Sequence, residues 1–194
     1  MNKTKGPDIN LETKNYVLRS VKDGHITDAV VSWYSDKEVM RFMNDRMDLS
    51  RENLCKMFNR YDNRDNYAVF IQDKENGNPV GIFRIYIDRR HNQATTSIMI
   101  GNKEYWGKNV VLEVRNIFLD TLFKKVKLRK VCGFVRGRNF PAHLNYMKQG
   151  FTKEGVRRQH FLNRDKEYED IVEFGLLSEE WFAREDIQKE GQGN

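Results

Sequence analysis

A chain of 194 residues is most simply one domain, long enough to bury a sizeable core without metals or disulfides. Its 34 basic and 28 acidic side chains leave a net charge of +6. That balance is moderate and interspersed, and does not mark a nucleic-acid binder; a polyanionic cofactor explains it as well as RNA does. Hydrophobic residues at 39% with only 3 prolines suit a globular protein and argue against long extended linkers. Cys55 and Cys132 are far apart, neither with a metal-spaced neighbour, so both read as reduced thiols. The polar segment Met1 to Thr13 lacks the apolar core of a signal peptide and no stretch approaches a membrane span, so a cytoplasmic protein is expected.

Taken in order, Met1 to Thr13 reads as a loose arm and Tyr16 to Val21 as the first strand. Ile26 to Met43 carries Ile26, Val30, Trp33, Tyr34, Val39, Phe42 and Met43, which predicts two short helices, the second restarted by an N-cap near Ser35-Asp36. Ser50 can cap a further helix with Leu54, Met57, Phe58 and Tyr61 on one face, before a polar break at Asp62 to Asn66. A meander follows: Tyr67 to Asp73, a hairpin signal at Asn76-Gly77, Val80 to Asp88, a turn at Arg89 to Asn92, and Gln93 to Gly101. Val110, Val114, Ile117, Phe118 and Leu122 have the spacing of one helix face over Val110 to Lys125. Then come a strand at Lys130 to Val135, a helix from Asn139, and a hairpin of Thr152 to Leu162 and Tyr168 to Leu177 around Asn163 to Lys166. Ser178 to Trp181 opens a terminal helix, and Gln188 to Asn194 is a polar tail. The folded core is expected over 14–182 of a single domain 1–194, with loose ends at 1–13 and 186–194. This order suits a mixed sheet with helices on its faces.

The chain is organised around Ile98 to Phe151. The apolar strand Ile98-Met99-Ile100-Gly101 runs into Glu104-Tyr105-Trp106-Gly107-Lys108-Asn109-Val110, out of which a helix grows. A strand feeding a glycine-containing turn that opens a helix gathers unpaired backbone N–H groups before the positive end of the helix dipole. That is an anion site, and phosphate is its usual occupant.

The segment Asn139-x-x-Ala142-x-x-x-Tyr146-x-Lys148-x-Gly150-Phe151 resembles the fourth-helix motif of the GNAT superfamily of acyl-CoA N-acyltransferases. Gly150-Phe151-x-x-Glu154-Gly155-Val156-x-Arg158-x-His160, Asp170-Ile171-Val172, Gly175-Leu176-Leu177 and Glu180-Trp181 resemble one branch of it, the ribosomal-protein N-terminal and spermidine acetyltransferases. So does Ser35-Asp36-x-Glu38-Val39-Met40-Arg41-Phe42. The resemblance spans about Tyr16 to Trp181. It implies an α/β (α+β) fold with a central mixed, mostly antiparallel sheet flanked by helices and splayed where a pantetheine arm inserts. It also implies transfer of an acetyl group from acetyl-CoA to a primary amine by direct attack, with no metal.

Site roles follow from the same resemblance. Backbone N–H groups of Ile98, Met99, Ile100 and Gly101 would meet the thioester carbonyl and pantetheine, oxyanion stabilisation being the largest expected contribution. Trp106, Gly107, Lys108, Asn109, Val110 and Val111 would form the phosphate turn, and Asn139 would hydrogen-bond pantetheine. Tyr146 would protonate the departing sulfur. A phenol of reference pKa ~10 donates only weakly to a thiolate of ~8.5, so losing it should cost about 10²-fold.

Against the family's turn, Q/R-x-x-G-x-G/A, Asn109 stands at the central glycine and Val111 where glycine or alanine is expected. Asparagine tolerates positive φ, so the turn can survive at Asn109. Thr95 stands nearest the position where the branch often carries a glutamate. Deprotonation of the amine could then go through water, Asp88, Glu113 or His160. His25, His91 and His143 are isolated, and none has metal-ligand spacing. The acceptor is expected to be a protein or peptide N-terminus, a polyamine or a similar small-molecule amine, without membrane or nucleic acid, and a homodimer is compatible. A nucleotide-linked aminosugar acceptor remains as an alternative. So do a non-catalytic binding protein on a degenerate GNAT fold and, with its arginines at Arg136, Arg138, Arg157 and Arg158, an RNA-associated protein.

Overall fold

The computed structural model describes residues 5–190, with side chains through 184. The chain divides into two compact units, Met1–Ile87 with Thr96–Val114 and Asp88–Thr95 with Arg115–Asn194. Strands in hydrogen-bonded order β1-β2-β3-β4-β5-β6-β8-β7 make one mixed sheet of eight.

In the first unit, β1 (Asn10–Glu12) pairs antiparallel with β2 (Tyr16–Ser20), which pairs with β3 (Asn66–Asp73), which pairs with β4 (Pro79–Asp88). β1 lies inside the segment expected to be a loose arm. It is tied down because the outer edge of β2 offers a ladder: Leu11 sits opposite Leu18, and the Ile9 amide donates to Ser20 Oγ at 2.8 Å. Three residues with one apolar side chain are too few to show a period. α1 (Asp28–Trp33) and α2 (Arg51–Phe58) begin at Thr27 and Ser50, whose hydroxyls accept the Val30 and Asn53 amides, as capping requires. Ile26, Val30, Trp33, Tyr34, Leu54 and Phe58 form a core with Ala68, Phe70, Ile82 and Met99.

The helix expected to restart at Asp36 is a run of turns instead. Asp36 Oδ1 does accept the Glu38 and Val39 amides at 2.8 and 3.2 Å. Met40 N reaches back four residues, to Asp36 O, while Arg41 and Met43 bond three back. The bonding thus passes from four residues back to three after Met40, and the run stays a series of turns. The hairpin at Asn76-Gly77 is present, but only Gly77 of that pair has positive φ, at 73°. A two-residue type I′ turn needs both; here Asp73 Oδ1 instead takes the amides of Glu75 and Asn76 in a longer loop.

In the second unit, the first residues of β5 (Gln93–Ile100) pair parallel with β6 (Lys130–Arg136), Gln93–Thr95 against Lys130–Cys132. A parallel pair needs a long crossover. α3 (Val110–Asp120) and a π-helical turn at Thr121–Lys125 provide it. β6 pairs antiparallel with β8 (Tyr168–Leu177), and β7 (Thr152–Leu162) lies outside β8 with two register shifts. α4 (Phe140–Lys148) separates β6 from β7. α5 (Ser178–Glu190) runs through 186–190, expected to be loose; residues 191–194 of that expected tail, like 1–4 of the expected arm, lie outside the described residues. Glu180 caps the helix by accepting the Leu177 amide at 2.8 Å, and Trp181 donates its indole N–H to Asp120 at 2.9 Å.

Candidate active site

The strand end and the turn belong to the first unit. Met99 is buried, with Ile98 and Ile100 half-buried on either side. The amides of Gly101 and Asn102 both donate to the Val80 carbonyl, and the Trp106 indole N–H donates to the Ile100 carbonyl at 2.9 Å. Only glycine fits at 101, since a Cβ there would stand 1.9 Å from the Trp33 ring. The chain then takes the left-handed conformation at Gly107 (φ 76°) and Asn109 (φ 59°). Asparagine is one of the few residues with a Cβ that adopts it cheaply. Asn109 therefore holds the backbone shape for which the family pattern uses glycine.

The Glu113 amide closes the first turn of α3 on the Asn109 carbonyl at 3.1 Å. Val110 and Val111 precede that point, at the positive end of the helix. Val110 is buried, while Val111 is half-buried in the helix itself, where its branch leaves the amide in ordinary helical geometry. A Cβ at Gly107 would meet nothing within 4 Å, so the turn is open there. Lys108 is exposed, with its ammonium 5.1 Å from the Tyr105 ring centre. Ile98 to Ile100 and Trp106 to Val111 thus belong to one unit, joined by the Trp106 indole bond to the Ile100 carbonyl.

Asn139 and Tyr146 belong to the second unit. Asn139 is the N-cap of α4, its Oδ1 accepting the Ala142 amide at 3.3 Å, with Pro141 in the first turn where its missing N–H costs nothing. Tyr146 is 3% exposed. Its ring lies parallel to Phe174 at 5.1 Å and edge-on to Phe151 at 4.9 Å. The absence of a side chain at Gly133 on β6 makes room for it: a Cβ there would stand 2.2 Å from the phenol oxygen. Above the ring sits the Arg115 guanidinium, 4.0 Å from its centre.

Arg115 and Gln149 are absent from the sequence-level candidates. Arg115 is 2% exposed and Gln149 3%. The guanidinium donates to Gln149 Oε1 at 2.8 Å, and Gln149 Nε2 donates to Asn116 at 2.7 Å. Burial pulls the Arg115 pKa down, and the neighbouring Tyr146 opposes that pull. One signal existed. Arg115 lies three and four positions before Phe118 and Leu119, on the flank of the buried stripe, where a charge is out of place.

Of the candidate bases, Glu113 is committed elsewhere: its two carboxylate oxygens accept the backbone and side-chain N–H of Asn15, both at 2.7 Å. Burial raises its pKa, but hydrogen bonds from Thr13 and Asn15 outweigh it and hold the group below its usual range. Asp88 closes the turn before β5, accepting from His91 N at 3.1 Å and pairing with its Nδ1 at 2.8 Å; those bonds lower its pKa. His160 is exposed on β7, and Thr95 is half-buried on β5. His25 stacks on Phe70 at 4.5 Å and His143 meets the Arg136 carbonyl at 3.1 Å, both in packing roles. Among the described residues no three His, Cys, Asp or Glu side chains cluster as a metal site, and no helix is long and apolar enough to cross a membrane.

Residues 15–152 match the model of the acetyltransferase (GNAT) domain. The chain belongs to the GNAT acetyltransferase family. A search of curated proteins found no match. Among solved structures, spermidine N-acetyltransferase from Vibrio cholerae, in complex with CoA and spermine, is 21% identical with a TM-score of 0.77, covering 86% of this chain and 98% of that one. Ribosomal-protein-S5-alanine acetyltransferase from Vibrio fischeri is 18% identical with a TM-score of 0.78, covering 90% and 99%. A GNAT-family acetyltransferase from Bacillus anthracis is 19% identical with a TM-score of 0.76, covering 88% and 99%. These likenesses show the fold.

Proposed function

We propose that this acetyltransferase moves the acetyl group of acetyl-CoA to a primary amine. The observation that carries the proposal is the turn before α3, where Gly107 and Asn109 both hold left-handed backbone just ahead of a helix N-terminus, a geometry that suits a pyrophosphate. The nitrogen lone pair attacks the thioester carbon, the C–S bond breaks, and a proton must reach the sulfur. Backbone N–H groups of Ile98, Met99 and Ile100 are assigned to the carbonyl oxygen, and Tyr146 supplies the proton. Asn139 keeps its side-chain NH₂ for pantetheine, since its oxygen is used in the cap.

The acceptor class follows from what is missing. Thr95 offers no carboxylate, and Glu113 and Asp88 are engaged in other bonds. An alkylamine of reference pKa ~10.4 is almost wholly protonated at neutral pH, whereas an α-amino group at ~7.7–8.0 is not. A peptide N-terminus therefore suits this site better than a polyamine, and a small aminosugar amine suits it for the same reason.

Calorimetry with acetyl-CoA, followed by turnover on peptides, polyamines and nucleotide aminosugars, tests the assignment. Binding, turnover favouring the less basic amines, and a kcat about 10²-fold lower in Tyr146→Phe with acetyl-CoA affinity kept are expected. No binding at millimolar acetyl-CoA would leave a GNAT fold that serves as a binding protein.

A further inference from the structure

Beside the proposed acid lies a charge that stability alone does not explain. Arg115 is 2% exposed, and the partners around its guanidinium are neutral: the Gln149 carbonyl oxygen at 2.8 Å, the Tyr146 ring at 4.0 Å and the Phe151 ring at 5.9 Å. Among the described residues its Nε has no hydrogen-bond partner. A buried cation without a carboxylate is costly, and an apolar side chain of similar volume is commonly as stable or more so. Such groups persist where a site needs their charge. Among the described residues the charge faces one titratable group, the phenol of Tyr146, whose ring is fixed from its other sides by Phe174, Phe151 and the bare backbone of Gly133.

We propose that Arg115, held by Gln149, is a positioning residue for the acid: its guanidinium fixes the Tyr146 ring and stabilises the phenolate left when the hydroxyl proton passes to the departing sulfur. The proton goes from phenol oxygen to thiolate, the oxygen keeps the electron pair, and the cation lies against the ring over which that charge spreads. The attraction strengthens as the proton leaves, so it acts on the transition state more than on bound substrate. It also acts through a hydroxyl, which makes it separable from packing. This inference rests on Tyr146 being the acid.

The experiment is a double-mutant cycle in kcat with acetyl-CoA as donor. Arg115→Met, apolar and unbranched, should lower kcat by about 10-fold with KM for acetyl-CoA changed less than about 2-fold. Arg115→Lys should recover most of that loss. In a Tyr146→Phe background, Arg115→Met should cost nothing further, because the hydroxyl it serves is gone. If the two losses multiply, or if lysine recovers nothing, Arg115 does not act through the phenol and the inference falls while Tyr146 stays the acid. If Tyr146→Phe turns over at the wild-type rate, the acid assignment fails first and takes this inference with it. Should Arg115→Met not fold, Gln149→Met removes the amide that holds the guanidinium, and it must lower kcat in the wild type but not in Tyr146→Phe.

Discussion

Asn109 shows how one side chain keeps a backbone shape that its neighbours require. At φ 59° it stands where a β-branched residue is an outlier. Asn109→Gly should keep acetyl-CoA affinity within about 3-fold, since glycine populates the same region freely. Asn109→Val should lose about 5- to 30-fold, as left-handed backbone costs a branched residue roughly 1–2 kcal/mol. Titration calorimetry on both separates them; equal affinities would mean that the turn's shape does not matter for binding. Glycine 133 is the complementary case at this scale. It is fixed by the ring it accommodates, and nothing in the sequence around Gly133 announces that.

Helices and strands were legible to different degrees, for physical reasons. α2 and α3 carry regular apolar spacing, and Ser50 and Thr27 are strong caps, so they stand where the pattern puts them. Ser50→Ala should therefore destabilise the protein by about 1 kcal/mol, read as a lowered denaturant midpoint at unchanged slope. The turns after Asp36 have the same capping chemistry, but their backbone bonds pass to three residues back after Met40. β1 was illegible because it owes its strand to the edge of β2 rather than to any period of its own. The candidate turn could be seen as strand, glycine and helix start. Arg115 left only its place on the flank of the apolar stripe as a signal, and Gln149 left none, because a buried polar pair looks like a surface pair until the fold closes over it. The π-helical turn at Thr121–Lys125 likewise has no period to reveal it, and it ends α3 earlier than the apolar spacing predicts.

At the scale of the whole molecule, stability should depend on pH and on ligand. Burial raises the Asp62 pKa, but the amides of Asn66, Arg64 and Asp65 outweigh it and bring it to about 2, through hydrogen bonds of 2.9, 3.0 and 3.0 Å. A carboxylate depressed in the folded state contributes above its unfolded value of about 3.9, and the contribution is lost as pH falls through the folded one. Asp62→Ala should thus melt below the wild type at pH 7, with the two curves converging between about pH 4 and pH 2. Parallel curves over that range would remove Asp62 from the acid response. Acetyl-CoA at about 100 times its Kd should in turn raise unfolding free energy by about 2.7 kcal/mol, seen as a higher Tm.

The three tryptophans divide in a useful way. Trp33 and Trp181 are 6% and 8% exposed, whereas Trp106 is 41% exposed and has its indole N–H on the Ile100 carbonyl, inside the candidate turn. The molecule consequently carries its own optical gauge. Two indoles emit from a dry interior as a steady blue background, and the third emits from water at the place where a pyrophosphate would settle. Coenzyme binding at the turn should shift only the red side of the emission band, and Trp106→Phe should silence that shift while leaving calorimetric binding in place. A ligand that binds without moving the red edge would be sitting somewhere else.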